Sequence, residues 1–354
     1  MQVDGRLVGG LTDARAGASA LEDLGYDTVL VPEVAHDGLL PITLAADGTS
    51  RIALGTSILV AFARSPMSTA VAAWDLQRFS GGRLQLGLGS QVRPHIERRF
   101  AMPWSRPAER MSEYVSALRA IWQAWQEGTP LDFRGDFTQH TLMPPRFDPG
   151  PLDVPPPAVF VAAVGPRMTE ATARVADGVI LHTFTTARYV QEVTRPAIDR
   201  GLAAGGRHRD SFEVRASPFV VAEPDGPARD QAITAVRDQI AFYASTPSYR
   251  PVLELHGWGD LQTDLSALVR QGRWAEMGAL IDDDVLGAFA VVAEPEELAE
   301  AICRHIGGYA DRVGLVLPQA ADPDWHASVV RSLKEAAPRR TTDGTESTLM
   351  PAPR

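Results

Sequence analysis

Short apolar runs alternate with amphipathic segments along most of the chain. Residues 3–8 and 28–31 are two such runs, and the second is continuous enough for a strand buried on both faces. Between them, Thr12 is placed to cap a helix that ends at Gly25, with Leu21 and Leu24 on its inner face. Residues 51–60 (RIALGTSILV) predict the next strand. Ser65-Pro66 then opens a helix, serine as the cap and proline at the first helical position. Met67, Ala70, Val71 and Trp74 follow at helical spacing. The turn Ser80-Gly81-Gly82-Arg83 leads into a strand over 84–88. A long helix is predicted over about 106–126, and its stripe of Met111, Val115, Leu118, Ile121, Trp122 and Trp125 predicts core rather than a cofactor box.

The alternation continues downstream. Residues 128–157 are loop-rich and end in three prolines. A strand over 159–163, a helix over 166–175, a strand over 178–181, a helix over 187–202 and a strand over 213–221 come next. Ile233, Val236, Ile240 and Tyr243 mark another helix. Residues 245–285 then break the rhythm: 245–259 is aromatic and loop-like, while 260–271 and 274–281 look helical. A strand over 288–292, a helix over 295–306 and a strand over 312–317 close the pattern. Repeated β–α alternation implies a parallel sheet with helices outside it. About eight strands favour its closed form, a (β/α)8 TIM barrel. Residues 1–337 thus form one domain with an insertion at about 245–285, used as a lid or as an oligomer contact such as a homodimer's. Residues 338–354 are polar and proline-containing, which predicts a disordered tail.

Composition narrows the function classes. The chain of 354 residues is 45% hydrophobic and 22% charged, ordinary for a domain with a sizeable core. A net charge of −10 argues against nonspecific grip on nucleic acid or an anionic membrane, leaving a small molecule as the expected partner. One cysteine, Cys303, can make neither an internal disulfide nor a thiolate cluster. No basic-then-apolar leader opens the chain and no apolar run approaches the ~20 residues of a membrane span, so a cytoplasmic location is expected.

Functional residues of such barrels lie at the C-terminal ends of the strands. After the fifth predicted strand comes Ala163-Val164-Gly165-Pro166-Arg167. Gly165 lets a ligand approach the backbone, and the amides of Arg167 and Met168 sit at a helix N-terminus, which favours an anion such as a phosphate. After the second strand comes His36, the best proton-transfer candidate by residue type, with Glu33 and Asp37 close in sequence. His182 follows the sixth strand. No metal-ligating spacing, P-loop, nucleophile elbow or complete dinucleotide fingerprint is present, and lysine is scarce, with Lys334 near the tail a poor Schiff-base candidate.

At this point the landmarks resemble a known superfamily. Leu54-Gly55-Thr56, Arg64-Ser65-Pro66, the Ser80-Gly81-Gly82-Arg83 turn and Leu86-Gly87-Leu88-Gly89 are similar to the third-to-fourth-strand region of the bacterial luciferase-like monooxygenases. Residues 159–168 (VFVAAVGPRM) resemble that family's cofactor-phosphate segment, and residues 295–301 and 313–317 its last helix and strand. One branch of the superfamily uses reduced FMN and oxygen; the other uses the deazaflavin coenzyme F-420 for hydride transfer. Gly55-Thr56-Ser57-Ile58-Leu59 resembles the strand of deazaflavin-dependent dehydrogenases that carries a non-proline cis peptide, which would fall at Ser57-Ile58. Residues 91–104 and 253–259 are similar to an actinobacterial-type group of F-420-dependent oxidoreductases.

The resemblance implies a division of labour. Ser57, Ile58, Ser90 and Gln91 would line the deazaflavin ring. Ala163, Val164, Gly165, Pro166 and Arg167 would hold its phosphate side. His36, helped by Glu33, would move a proton. Phe62, Trp104 and His182 would wall the substrate space. There is one departure: many relatives place Asp-His after the second strand, and here Glu33-Val34 stand there, with His36 two residues on. An FMN-dependent monooxygenase and a non-catalytic flavin-binding barrel are the two alternatives.

Overall fold

The computed structural model describes residues 1–317 and 322–336, so the expected tail over 338–354 lies outside the described residues. In chain order the strands are β1 (Gln2–Arg6), β2 (Thr28–Val31), β3 (Ala53–Thr56), β4 (Leu59–Val60), β5 (Leu84–Gly89), β6 (Phe133–Arg134), β7 (Gln139–His140), β8 (Ala158–Ala163), β9 (Gly178–Leu181), β10 (Glu213–Ala216), β11 (Phe219–Val221), β12 (Ala290–Val292) and β13 (Arg312–Leu315). The parallel sheet runs β3-β2-β1-β13-β10-β9-β8-β5, and β5 pairs back onto β3, closing a barrel of eight. β4 continues β3 along β5. β6 and β7 make a small antiparallel hairpin outside the ring.

The helices cover the outside of the ring. The Pro107–Glu127 helix buries its whole predicted stripe, and Trp122 and Trp125 pack against Trp74 of the Pro66–Phe79 helix. Ser65 caps that second helix through the Ser68 amide, as its position before Pro66 predicts.

Three expectations from the sequence need correction. The run 213–221 is two strands, because Pro218 has no N–H for a ladder and the chain leaves the ring there. The run 288–292 is not a barrel strand. Its first two residues end the Asp283–Phe289 helix, and β12 pairs with β11 outside the ring. The segment 245–259 is not simply a loop, since Arg250–Leu255 is helical. The 245–285 segment packs into an apolar cluster shared with its neighbours, in which Phe289 stacks on Phe184 at 4.3 Å and Val252, Leu253 and Leu265 are fully buried.

The barrel's interior is charged at its lower end. Asp4 lies between Arg215 Nε at 2.8 Å and Arg312 Nη2 at 2.6 Å. Arg215 also donates to Gln85 Oε1 at 2.6 Å and lies over the Phe160 ring, while Arg312 donates to the Thr28 hydroxyl. Removing one partner of a buried ion pair leaves a charge without compensation, at a cost of about 3–5 kcal/mol. Asp4→Ala is therefore expected to lose about that much stability by urea denaturation, and a loss below about 1 kcal/mol would overturn this account.

Candidate functional site

A cavity of about 480 Å³ opens at the C-terminal end of the barrel. Ser57 and Ile58 line it beyond β3, Ala162 in β8, and Ile180, Leu181, His182 and Thr183 at the end of β9. Arg6 of β1, Leu30 of β2, Ser217 beyond β10 and Gly314 to Val316 at the β13 end also line it. Gln239 and Tyr243 reach it from the Pro227–Ala244 helix.

The Ser57-Ile58 wall follows from a break in strand pairing. Leu54 faces Leu84, but Leu59 faces Leu88, so four steps on β5 span five on β3 and β4. The extra residue is a β-bulge. The Ser57-Ile58 peptide is cis, where the resemblance implies it. The Thr56 hydroxyl replaces the lost ladder, donating to Gly87 O at 2.7 Å and accepting from Gly87 N at 2.9 Å. A Cβ on Gly87 would stand 1.9 Å from Thr56 O, and one on Gly89 would stand 2.6 Å from the Ile58 side chain. The two glycines of Leu86-Gly87-Leu88-Gly89 thus make room for the bulge.

A largely buried clamp holds this segment from below. Glu33 N donates to Ile58 O at 3.2 Å, and the Glu33 carboxylate accepts from Val60 N at 2.6 Å. Arg64 bridges Glu33 at 2.8 Å and Asp37 at 2.7 Å. Asp37 in turn accepts from the Leu39 amide at 2.7 Å, where the Leu39–Gly48 helix begins. Glu33, expected to help move a proton, is instead engaged in holding the backbone. His36 is exposed and does not line the cavity; Val34, the residue in the family's histidine place, does.

The phosphate-side residues sit on a different surface. Ala163 points into the core, so Ala162 is the β8 side chain that meets the cavity. Val164 and Gly165 follow directly. Gly165 faces open space: a Cβ added there would meet no atom within 4 Å. The Pro166–Val175 helix starts there without a side-chain cap; Thr169 N bonds Gly165 O, which leaves the Arg167 and Met168 amides open at the helix N-terminus. The Arg167 guanidinium is turned to Glu109 at 3.1 Å. Ser90 and Gln91 lie beyond β5 outside the cavity lining, and Gln91 has a left-handed backbone, φ 60°.

The expected substrate wall is redrawn. Phe62 is fully buried beneath Trp104, 5.7 Å away in an edge contact, and under the Arg110 guanidinium, because it lies in the turn after β4 rather than above it. Neither ring lines the cavity. His182 does line it, but both ring nitrogens are engaged. Nδ1 accepts from Phe184 N at 3.0 Å, so Nε2 carries the proton and donates to the Tyr249 hydroxyl at 3.2 Å. Burial pulls His182 down to about 4, keeping it neutral, and pushes Tyr249 up to about 12. A second contact, Thr186 to His256 at 2.8 Å, repeats the link between the β9 end and the insertion. Sequence reasoning missed Arg6, Ala162, Ser217 and Tyr243; strand alternation from Asp4 is the signal for Arg6.

Known proteins share the family and the fold of this chain. The luciferase-like monooxygenase model matches residues 2–312. An uncharacterized protein of Mycobacterium tuberculosis is 52% identical over 313 residues, covering 88% of this chain and 92% of its own length. A putative coenzyme F-420-dependent oxidoreductase of the same organism is 28% identical, covering 78% of this chain and 82% of its own. The solved structure of the coenzyme F-420 dependent tetrahydromethanopterin reductase from Methanopyrus kandleri shares the fold, with a TM-score of 0.71 at 22% identity, over 93% of this chain and 96% of that one. The chain belongs to the luciferase-like monooxygenase family.

Proposed function

We propose that the protein is an F-420-dependent oxidoreductase that moves a hydride to or from a small organic substrate. The observation that carries this reading is the pairing of an apolar, bulge-backed wall at Ser57-Ile58 with an open cradle at Gly165, three residues beyond the cavity-lining Ala162. Leu30, Ile58, Ile180 and Leu315 offer apolar surface suited to a flat ring. The Arg167 and Met168 amides, beside a glycine with empty space in front of it, suit a phosphate. The name of the 28%-identical oxidoreductase supports the deazaflavin as the cofactor.

When bound, the deazaflavin supplies a ring carbon that gives or accepts a hydride. The chain supplies position and exclusion of water. The Glu33–Arg64–Asp37 clamp fixes the wall behind the ring. The His182–Tyr249 contact ties the 245–285 segment to the β9 end beside the cavity, while Val236, Gln239 and Tyr243 of the Pro227–Ala244 helix supply the wall on that side. His36, on the surface, is not carried forward as the proton donor.

Titration of the purified protein with F-420, and separately with FMN, tests the proposal. F-420 is expected to bind, and Gly165→Trp is expected to weaken it at least tenfold while leaving the fold intact. Binding of neither cofactor, or of FMN with oxygen consumption, would sink it.

A second prediction concerns pH. The folded His182 sits at about 4 against an ordinary 6.5, so the unfolded chain takes up a proton first as pH falls. Stability is thus lost between pH 6.5 and 4, by roughly 2–3 kcal/mol from this residue. His182→Asn is expected to flatten that part of the stability–pH curve, and an unchanged slope would contradict the assignment.

A further inference from the structure

We infer that the substrate of this cavity carries a carboxylate, held by Arg6; the role as substrate, though not the anion site itself, rests on the function proposed above. Strand periodicity places Arg6 there. Side chains two residues apart on a strand share a face, and Asp4 faces the barrel interior with Arg215 and Arg312. Arg6 therefore projects from the same face one step nearer the C-terminal end, where it lines the cavity.

Its charge is not neutralised. Arg6 is exposed, and among the described residues its guanidinium has no hydrogen bond and no ion pair. The nearest acid on its own strand, Asp4, is shared by two other arginines. The cavity lining contains no aspartate and no glutamate, in a chain whose net charge is −10. A protein so acidic that leaves one cavity without an acid, and with an unpaired guanidinium, presents a local anion site. Ser217 and Gln239 line the same cavity and also have no side-chain partner among the described residues.

The class of anion follows from the count of cations. A guanidinium matches a carboxylate with two parallel hydrogen bonds. A dianionic phosphate is ordinarily met by more positive groups or by a helix N-terminus, and the lining offers Arg6 alone as a charged group. The helix N-terminus at Gly165 lies outside that lining. Elsewhere in the lining Leu30, Phe219, Tyr243 and Val316 are largely apolar and suit a hydrocarbon or aromatic body.

Calorimetric titration of the full chain with benzoate, benzamide and phenyl phosphate, with and without bound F-420, tests this. Benzoate is expected to bind at least tenfold more tightly than benzamide. Arg6→Met is expected to erase that difference and leave F-420 affinity unchanged; Arg6→Lys, which keeps the charge without the planar fork, is expected to lose at least threefold. Equal binding of benzoate and benzamide, a preference that survives Arg6→Met, or tighter binding of phenyl phosphate than benzoate would overturn the inference. Loss of F-420 affinity in Arg6→Met would assign Arg6 to the cofactor and overturn it too. If F-420 fails to bind the wild type, the function proposed above falls, while the benzoate comparison on the cofactor-free chain still decides the anion site.

Discussion

One carboxylate in the barrel's interior holds two guanidinium groups. Asp4 of β1 contacts Arg215 of β10 and Arg312 of β13, three neighbouring strands. Through Thr28, Gln85 and Phe160 the same arginines reach β2, β5 and β8. Six of the eight strands thus meet at one polar layer. Buried charge is tolerated only where partners are fixed, so the layer constrains how the strands sit relative to one another. The cavity above inherits its shape from that arrangement. The layer also consumes the only acid on β1 that could have paired with Arg6.

A second constraint acts at the wall of the cavity. The bulge between β3 and β4 turns Ser57 and Ile58 inward, and three separate devices support it: the Thr56 hydroxyl, the two glycines of β5 and the Glu33–Arg64 clamp. These partners come from four different stretches of chain. The wall is consequently rigid in the sense that matters for recognition, held by hydrogen bonds on one side and close packing on the other.

The barrel was legible in the sequence because strands buried on both faces are continuous apolar runs, punctuated by glycine, proline and capping residues. The Gly165-Pro166 turn was legible for a local reason, since three adjacent residues carry its logic. Other features depend on partners far apart in sequence. Glu33 reads as a proton helper beside His36 until Arg64 and Val60 are brought to it by the fold. His182 reads as a free histidine until Phe184 and Tyr249 engage its two nitrogens. Phe62 reads as exposed to a ligand because its place after a strand is visible, whereas its depth beneath Trp104 is not. The split at Ser217-Pro218 was available from proline's missing donor alone.

The 245–285 segment brings Tyr249 next to the cavity and packs into an apolar cluster separate from the main core around the ring. That cluster is shared with Phe184 and Phe219 near the strand ends and with Ile240 of the preceding helix. Sequence drift in this segment can therefore shift Tyr249, and with it the His182 ring that lines the cavity, while the ring of strands keeps its own packing. The chain separates the part that must be preserved to fold from the part that can vary to suit a new ligand.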